Sequence, residues 1–284
     1  MRSPAVCLLT VLLITLLLVG CGAAAQEPQT PGETAAPVSA APGFRAEFLS
    51  TGKSDCTVLW MDGLVVLIDT ADADDYDAVA ELLRSYGVER IDYIILSHYD
   101  KDHIGAAPML LRSFEVGAVL RTQYTEKSSE FNALVRAEEA TGTPAVIVTE
   151  DYYITTENGW ILIDPPDKDY EDDNNNTQLV TVCYNDHNLL FLGDAKKARL
   201  EEFLPLARDG YDLIKLPHHG DSNKALLSLL RSAPPIWAVE MISQNEIVES
   251  DLLEVLEKYG VTLYCTVDGP VHMTWEGTGF SVTQ

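Results

Sequence analysis

Four apolar runs in this chain, each short enough to be one buried strand, end on an aspartate or a histidine. Leu64-Val65-Val66-Leu67-Ile68 runs into Asp69, and Ile91-Asp92-Tyr93-Ile94-Ile95-Leu96 runs into Ser97-His98-Tyr99-Asp100-Lys101-Asp102-His103. Asn188–Leu192 runs into Gly193-Asp194, and Leu213-Ile214-Lys215-Leu216 into Pro217-His218-His219-Gly220. Such a pattern calls for an α/β architecture that gathers all four strand ends along one edge, the usual place for a site in an open sheet. The second cluster is the densest. Its H-x-D-x-D-H spacing sets His98, Asp100, Asp102 and His103 in one short loop and uses two of the six histidines in the chain. A solvated charged loop is the plain alternative there, and a turn aspartate is the plain alternative for Asp194. The combination of clusters argues against both.

Strands alternate with helices around these ends. Phe44–Ser50 and Cys56–Met61 read as strands around the turn Thr51–Asp55, and Asp62-Gly63 makes a hairpin signal before Leu64–Ile68. Helical spacing appears over 75–86, 106–113, 128–140, 196–206, 225–231 and 249–259. Further strands are expected at 118–121, 144–148, 160–163, 178–184, 188–192, 237–242, 261–266, 271–275 and 280–282. Pro165 to Asn176 is acidic, rich in asparagine and without periodicity, so it reads as a mobile segment or a site rim.

The N-terminus reads as a targeting segment. Met1-Arg2-Ser3-Pro4 precedes an apolar stretch to Val19 that is shorter than the ~20 residues of a spanning helix. Leu18-Val19-Gly20-Cys21 resembles a bacterial lipobox, with cleavage after residue 20 and lipid on Cys21. Residues 21–43 lack apolar periodicity and read as a flexible linker. The expected organisation is therefore a signal peptide (1–20), a lipidated linker (21–43) and one domain (44–284), held at a bacterial membrane on its extracytoplasmic side. Cys56, Cys183 and Cys265 lie in apolar runs without C-x-x-C spacing and read as core thiols. A net charge of −25 repels polyphosphates at long range and argues against nonspecific, tight DNA binding.

The order of an early Asp, an H-x-D-x-D-H loop, Gly-Asp and a late His resembles the metallo-β-lactamase superfamily. His-His-Gly, Gly52-Lys53-Ser54-Asp55, Ile68-Asp69-Thr70, Asn175-Asn176-Thr177 and Thr266-Val267-Asp268-Gly269 resemble its ComEC competence-protein branch. The resemblance covers the chain from Phe44 onward. It implies a four-layer αββα sandwich, two mixed sheets flanked by helices. It also implies two divalent ions, with zinc first and manganese second because the ligands are hard. His98 and Asp100 would hold one ion, Asp102 and His103 the other, with Asp194 bridging and His219 completing the second. Asp69 would orient the metal loop, and Asn176 would help fill the first ion's surroundings. The chain departs from the wider superfamily in having no well-placed histidine between the first motif and Gly-Asp, since His187 falls at a hairpin tip. His272 reads as structural. Ala71 stands near Asp69 where glycine is common.

The chemistry implied is hydrolysis by a shared hydroxide, with Asp102 orienting it and His218 donating a proton to the leaving group. Lys101, Lys196, Lys197, Arg199, Lys215 and Lys224 fall near the motifs and suggest a positive mouth, unless they pair with Glu201 and Glu202. Lys101, Lys215, Asp221, Ser222, Asn223 and Lys224 are the substrate-side candidates. A phosphoester or phosphodiester, nucleic acid included, is the expected substrate, and no protein partner is indicated. The alternatives are a thioester, phosphocholine ester or lactam hydrolase, or a lipoprotein that binds metal without catalysis.

Overall fold

A computed structural model describes residues 43–284. The expected signal peptide, Cys21 and nearly all of the linker lie outside the described residues. No helix among the described residues is long and apolar enough to cross a membrane.

The chain first lays down β1 (Phe44–Phe48), β2 (Thr57–Met61), β3 (Leu64–Ile68), β4 (Arg90–Ile95), β5 (Glu115–Arg121) and β6 (Ala145–Ile147). Next come β7 (Tyr152–Thr155), β8 (Gly159–Asp164), β9 (Leu179–Tyr184), β10 (His187–Phe191), β11 (Leu213–Lys215), β12 (Trp237–Glu240) and β13 (Thr262–Cys265). It then returns to the first sheet with β14 (Val271–Trp275) and β15 (Phe280–Thr283). The first sheet has the order β15-β14-β1-β2-β3-β4-β5-β6, and the second β13-β12-β11-β10-β9-β8-β7. Both are mixed. β3 to β6 are parallel in the first sheet and β10 to β13 in the second, with the other neighbours antiparallel.

Among the described residues seven α-helices join these strands: α1 (Tyr76–Ser85), α2 (Lys101–Ile104), α3 (Ala107–Ser113), α4 (Ser129–Thr141), α5 (Lys197–Phe203), α6 (Lys224–Ser232) and α7 (Ser250–Tyr259). Three apolar clusters show how the layers stack. Val79, Leu83, Leu110 and Leu134 from α1, α3 and α4 pack on Leu67, Ile91 and Ile94 of the first sheet. Phe48, Leu59, Val66, Ile161, Val182 and Phe191 fill the space between the sheets. Leu200, Leu226, Leu230 and Leu252 from α5, α6 and α7 cover Leu190, Ile214 and Ala238 of the second sheet. Four layers with three apolar seams are the architecture that the resemblance implies.

The parallel pairs place the site. β3 and β4 end level, with Ile68 opposite Ile95, and β10 and β11 end level, with Phe191 opposite Lys215. Their carboxyl ends lead into Asp69, His98, Asp194 and His218, so each sheet contributes two neighbouring strand ends. Gly193 lets the two sets meet. A side chain there would lie 2.8 Å from Ser97 Cβ and 2.8 Å from Thr177 Cγ2, and its φ is +48°.

The sequence reading missed two elements. α2 is formed by the metal motif itself, which has no apolar period to betray it. β7 is a short edge strand. The Pro165–Asn176 segment differs from expectation as well: Asp173–Asn176 is a 3₁₀ turn, and Asn174, Asn175 and Asn176 are buried. Asn175 Oδ1 accepts from Arg199 N at 3.0 Å, and Asn176 brackets Tyr170 through both its amide atoms. Cys56, Cys183 and Cys265 are free thiols, and burial raises the pKa of each.

Candidate metal centre

Three imidazoles are fixed from behind, and two of them, His98 and His103, are left bare in front. The His98 Nδ1 lies 3.0 Å from Ser97 Oγ, and that hydroxyl donates to Asp69 Oδ2 at 2.7 Å. His103 Nδ1 lies 2.8 Å from Asp69 Oδ2. His219 Nδ1 lies 3.1 Å from the Met241 carbonyl oxygen. Each of these partners asks Nδ1 to carry the proton, which leaves the lone pair on Nε2.

The three Nε2 atoms converge on the carboxylates. His103 Nε2 lies 3.3 Å from Asp194 Oδ1, and His98 Nε2 lies 4.0 Å from Asp194 Oδ2. His219 Nε2 is 3.5 Å from Asp194 Oδ2 and 3.6 Å from Asp102 Oδ2. His98 Nε2 is also 3.6 Å from Asp100 Oδ2. Asp194 is thus the group shared by all three rings. His98 Nε2, His103 Nε2 and Asp194 Oδ1 are buried without a hydrogen-bond partner. Unpaired buried donors and acceptors are costly unless something else satisfies them. Ligand atoms each about 2.0–2.2 Å from a shared ion lie roughly 3–4 Å apart, which matches this spacing. Among the described residues three groups satisfy the proximity that an ion needs, and two of them are His98-His103-Asp194 and Asp102-His103-His219.

The field in the site favours positive charge. Burial alone would raise Asp102 and Asp194, yet the imidazoles around them hold both below the usual carboxylate range. Burial would lower His103 and His219, but the facing carboxylates raise both. His98 holds Asp100 low as well.

A third group, Asp55-Asp69-His103, is equally close, but both of its carboxylates already hold partners, leaving only Asp55 Oδ1 unpaired. Asp69 accepts from Ser97 N, Ser97 Oγ and His103 Nδ1, and Asp55 binds the buried ammonium of Lys215. This cluster is the scaffold behind the donors.

Backbone strain gathers in the same loops. Asp69, Ala71, His218 and His219 all have positive φ, between 55° and 64°. Such conformations cost non-glycine residues about 1–3 kcal/mol and persist where surrounding contacts enforce them. Ala71 carries a Cβ in a conformation suited to glycine. At Gly220, φ is +95°, and a Cβ would meet Val248 Cα at 2.9 Å. That close approach pins the 243–249 loop beside the late histidines.

The structure does not bring every sequence candidate to the centre. Lys215 is buried at 2% exposure, so it is not a substrate-side group. The amide of Asn176 is spent on Tyr170, away from the first ion's donors. Asn223 caps α6, accepting from Ala225 N and Leu226 N, and Ser222 Oγ bonds Asp251. Lys101 turns to Asp72, and Lys224 is exposed at the start of α6. Asp221 holds His218 Nδ1 at 2.7 Å. Of the basic residues that sequence spacing suggested for a positive mouth, Lys196 and Lys197 line the cavity beside His218. Lys196 pairs with Asp172, Lys197 with Glu201, and Arg199 is buried against Asp164 and Glu202. His187 is held by Asp212 and packs on Trp275 and Phe280, and His272 contacts Glu47. Sequence reasoning also missed three participants: Ser97, Asp55 and Lys53. Lys53 Nζ lies 2.7 Å from Asp102 Oδ2. The signals for it were its place in Gly52-Lys53-Ser54-Asp55, one of the stretches that carry the resemblance, and in a turn leading to the same sheet edge.

Comparison with known proteins agrees with this geometry. A family model described as the metallo-beta-lactamase superfamily matches residues 49–235. The chain belongs to that superfamily. It is a metallo-hydrolase of that family by the same match, and its fold and donor set are consistent with divalent metals. Recombination protein 2 of Haemophilus influenzae is 24% identical over 206 residues, covering 70% of this chain and 24% of the relative. ComE operon protein 3 of Bacillus subtilis is 21% identical over 189 residues, covering 65% and 24%. The chain therefore spans about a quarter of the length of these relatives, and the match favours the ComEC-like branch. Among solved structures, the metallo-beta-lactamase fold protein YhfI from Bacillus subtilis aligns with TM-score 0.54 and 13% identity, over 78% of this chain and 96% of YhfI. That likeness concerns the fold.

Proposed function

We propose that the protein is an extracytoplasmic hydrolase of phosphodiesters, nuclease-like in reaction, anchored to the bacterial membrane through lipid on Cys21. The observation that carries the hydrolytic reading is the convergence of three Nε2 atoms on shared carboxylates, two of them (His98 and His103) buried without a partner, in a field that favours cations. His98, Asp100 and Asp194 would hold one ion. Asp102, His103 and His219 would hold the other, with Asp194 between them. Zinc fits three imidazoles, and the carboxylates also suit manganese. Such a pair would supply Lewis acidity toward a phosphoryl oxygen and make water a stronger nucleophile near neutral pH.

The protein's own groups do the rest. Asp69 and Ser97 hold the His98 and His103 rings by Nδ1, so neither ring turns away as the substrate arrives. Met241 does the same for His219. Asp102, buried beside His219, orients the attacking water. His218 lines two cavities of about 230 and 320 Å3 at the mouth. With Asp221 on its Nδ1, its Nε2 would give a proton to the departing oxygen.

The choice of phosphodiester over other esters rests on the branch the sequence resembles. A relative named for recombination makes nucleic acid the natural polymer to try. The test is cleavage of bis-p-nitrophenyl phosphate and single-stranded DNA by protein supplied with zinc or manganese. Cleavage that disappears on chelation and returns with the metal is expected. Absence of turnover by protein that retains about two ions per chain overturns the reading. Membrane fractionation with Cys21→Ser tests the anchor: the substituted protein is expected to leave the membrane fraction.

A further inference from the structure

Lys53 stands at the rim of the metal centre, against Asp102 and facing a cavity. It occupies the turn between β1 and β2, and that turn is firmly tied. Ser54 N donates to Thr51 O at 3.2 Å, and Thr51 Oγ1 donates to Ser54 O at 2.9 Å. Asp55 N donates to the Asp102 carbonyl at 3.0 Å, and Ala71 N donates to the Asp55 carbonyl at 2.8 Å. The turn is thereby stitched to both the metal loop and the loop after β3. Its lysine is delivered to the oxygen of Asp102 that faces His219 Nε2.

The two partners differ in access. The Asp102 side chain is 8% exposed and the Lys53 side chain 48%. An ammonium has three N–H donors, and Asp102 uses one. Among the described residues Lys53 forms no other ion pair. It lines the 320 Å3 cavity together with His218, His219, Asp221, Glu246 and Ile247. Of the other lysines near the motifs, Lys101 pairs with Asp72, Lys196 with Asp172 and Lys197 with Glu201, Lys215 is sealed inside, and Lys224 is exposed at the start of α6. Lys53 alone among these lysines both touches a candidate ligand oxygen and lines the mouth. On a chain of net charge −25, an anionic substrate needs such a point of attraction.

We propose that Lys53 is the anion anchor of the site, holding a non-bridging phosphoryl oxygen of the substrate beside Asp102 and His219. The proposal rests on the phosphodiester reading and adds to it the residue that recognises the phosphoryl charge. The rival role is structural, in which Lys53 merely steadies Asp102. A charge-assisted hydrogen bond to an anion accounts for roughly 10- to 100-fold in affinity.

The experiment uses the zinc-loaded protein, its Lys53→Gln and Lys53→Arg variants, and inorganic phosphate as the probe. Calorimetry gives the phosphate Kd, atomic emission gives zinc per chain, and bis-p-nitrophenyl phosphate gives KM and kcat. Lys53→Gln is expected to keep its zinc, to bind phosphate about 10- to 100-fold more weakly and to show KM raised more than kcat is lowered. Lys53→Arg is expected to recover most of the phosphate affinity, because the charge is retained. Unchanged phosphate binding in Lys53→Gln overturns the anchor, as does a total lack of phosphate binding in the unsubstituted protein. Loss of zinc in step with phosphate assigns Lys53 the structural role instead. Lys53-dependent phosphate binding without cleavage of any phosphodiester keeps the anchor and removes the reaction assigned above.

Discussion

Two buried polar clusters lie back to back at this sheet edge, and they solve the same electrostatic problem in opposite ways. In front, His98, His103, His219, Asp102 and Asp194 face one another with bare nitrogens and an unpaired carboxylate oxygen. Behind, Asp55, Lys215 and Glu240 are sealed from water, with the Lys215 ammonium on Asp55 and 3.4 Å from the Gly193 carbonyl; Asp55 Oδ1 and both Glu240 oxygens are unpaired there too, but no imidazole nitrogen is left bare among them. The rear cluster carries its own cation. The front one leaves that place to something from outside. Burial of charge alone thus does not mark a functional site. Convergent atoms whose far sides are anchored and whose near sides are unpaired do mark one.

The sharpest way to break this contrast is to remove the shared front carboxylate. Asp194→Ala is expected to lower kcat/KM by about three orders of magnitude or more, since several kcal/mol of transition-state stabilisation go with the metals. Metal per chain, measured by atomic emission, should fall with it. A variant that keeps both its ions and its rate would dissolve the distinction between the clusters.

The rear cluster should answer in stability. Lys215→Met leaves Asp55 buried without its cation and is expected to cost about 3–5 kcal/mol in urea unfolding. Adding Asp55→Leu to it should recover much of that loss, because the pair then becomes apolar together. If the double variant is no better than the single one, Lys215 has a role beyond neutralising Asp55.

Asp69 joins the two regions, and its substitution should have an intermediate effect. Asp69→Asn weakens the hold on Ser97 and His103 and is expected to reduce zinc affinity about 10- to 100-fold, read by competition with a chromophoric chelator. The smallest effect belongs to Glu240. Burial raises its carboxyl well above the ordinary value, against the pull of Lys215. The folded protein then holds a proton that the unfolded chain releases, so this group contributes less stability as pH rises above the normal glutamate range. Glu240→Gln lacks that dependence. Its melting temperature should gain on the unsubstituted protein between acidic and neutral pH, by a few degrees at about 2–4 °C per kcal/mol. A constant gap across that range would show that Glu240 is ionised in the fold.

Much of this was legible in the chain because periodicity and strand-end chemistry agree. Leu64–Ile68 was read with its observed bounds, and the β4 run was placed within one residue. The topology then had to bring level strand ends together, and it did. What escaped notice depended on orientation. In Leu213-Ile214-Lys215-Leu216, nothing local says whether the lysine faces solvent or the interior, and a parallel strand covered on both sides hides it. Lys196, Lys197 and Arg199 are near the motifs in sequence, yet helix geometry hands two of them to Glu201 and Glu202. Lys53 is far in sequence from Asp102 and reaches it only because the β1–β2 turn folds over the same edge. The asparagine run lacked period because its side chains serve as local clamps, a role that leaves no repeat to detect.

The donors of this centre are drawn from both halves of the sandwich, residues 98 to 103 from one sheet and Asp194 and His219 from the other. A cation gripped there is also a rivet through the inner seam. Losing it would loosen the joint between the halves as well as silence the chemistry, so the protein's resistance to proteases would rise and fall with the metal supply around it.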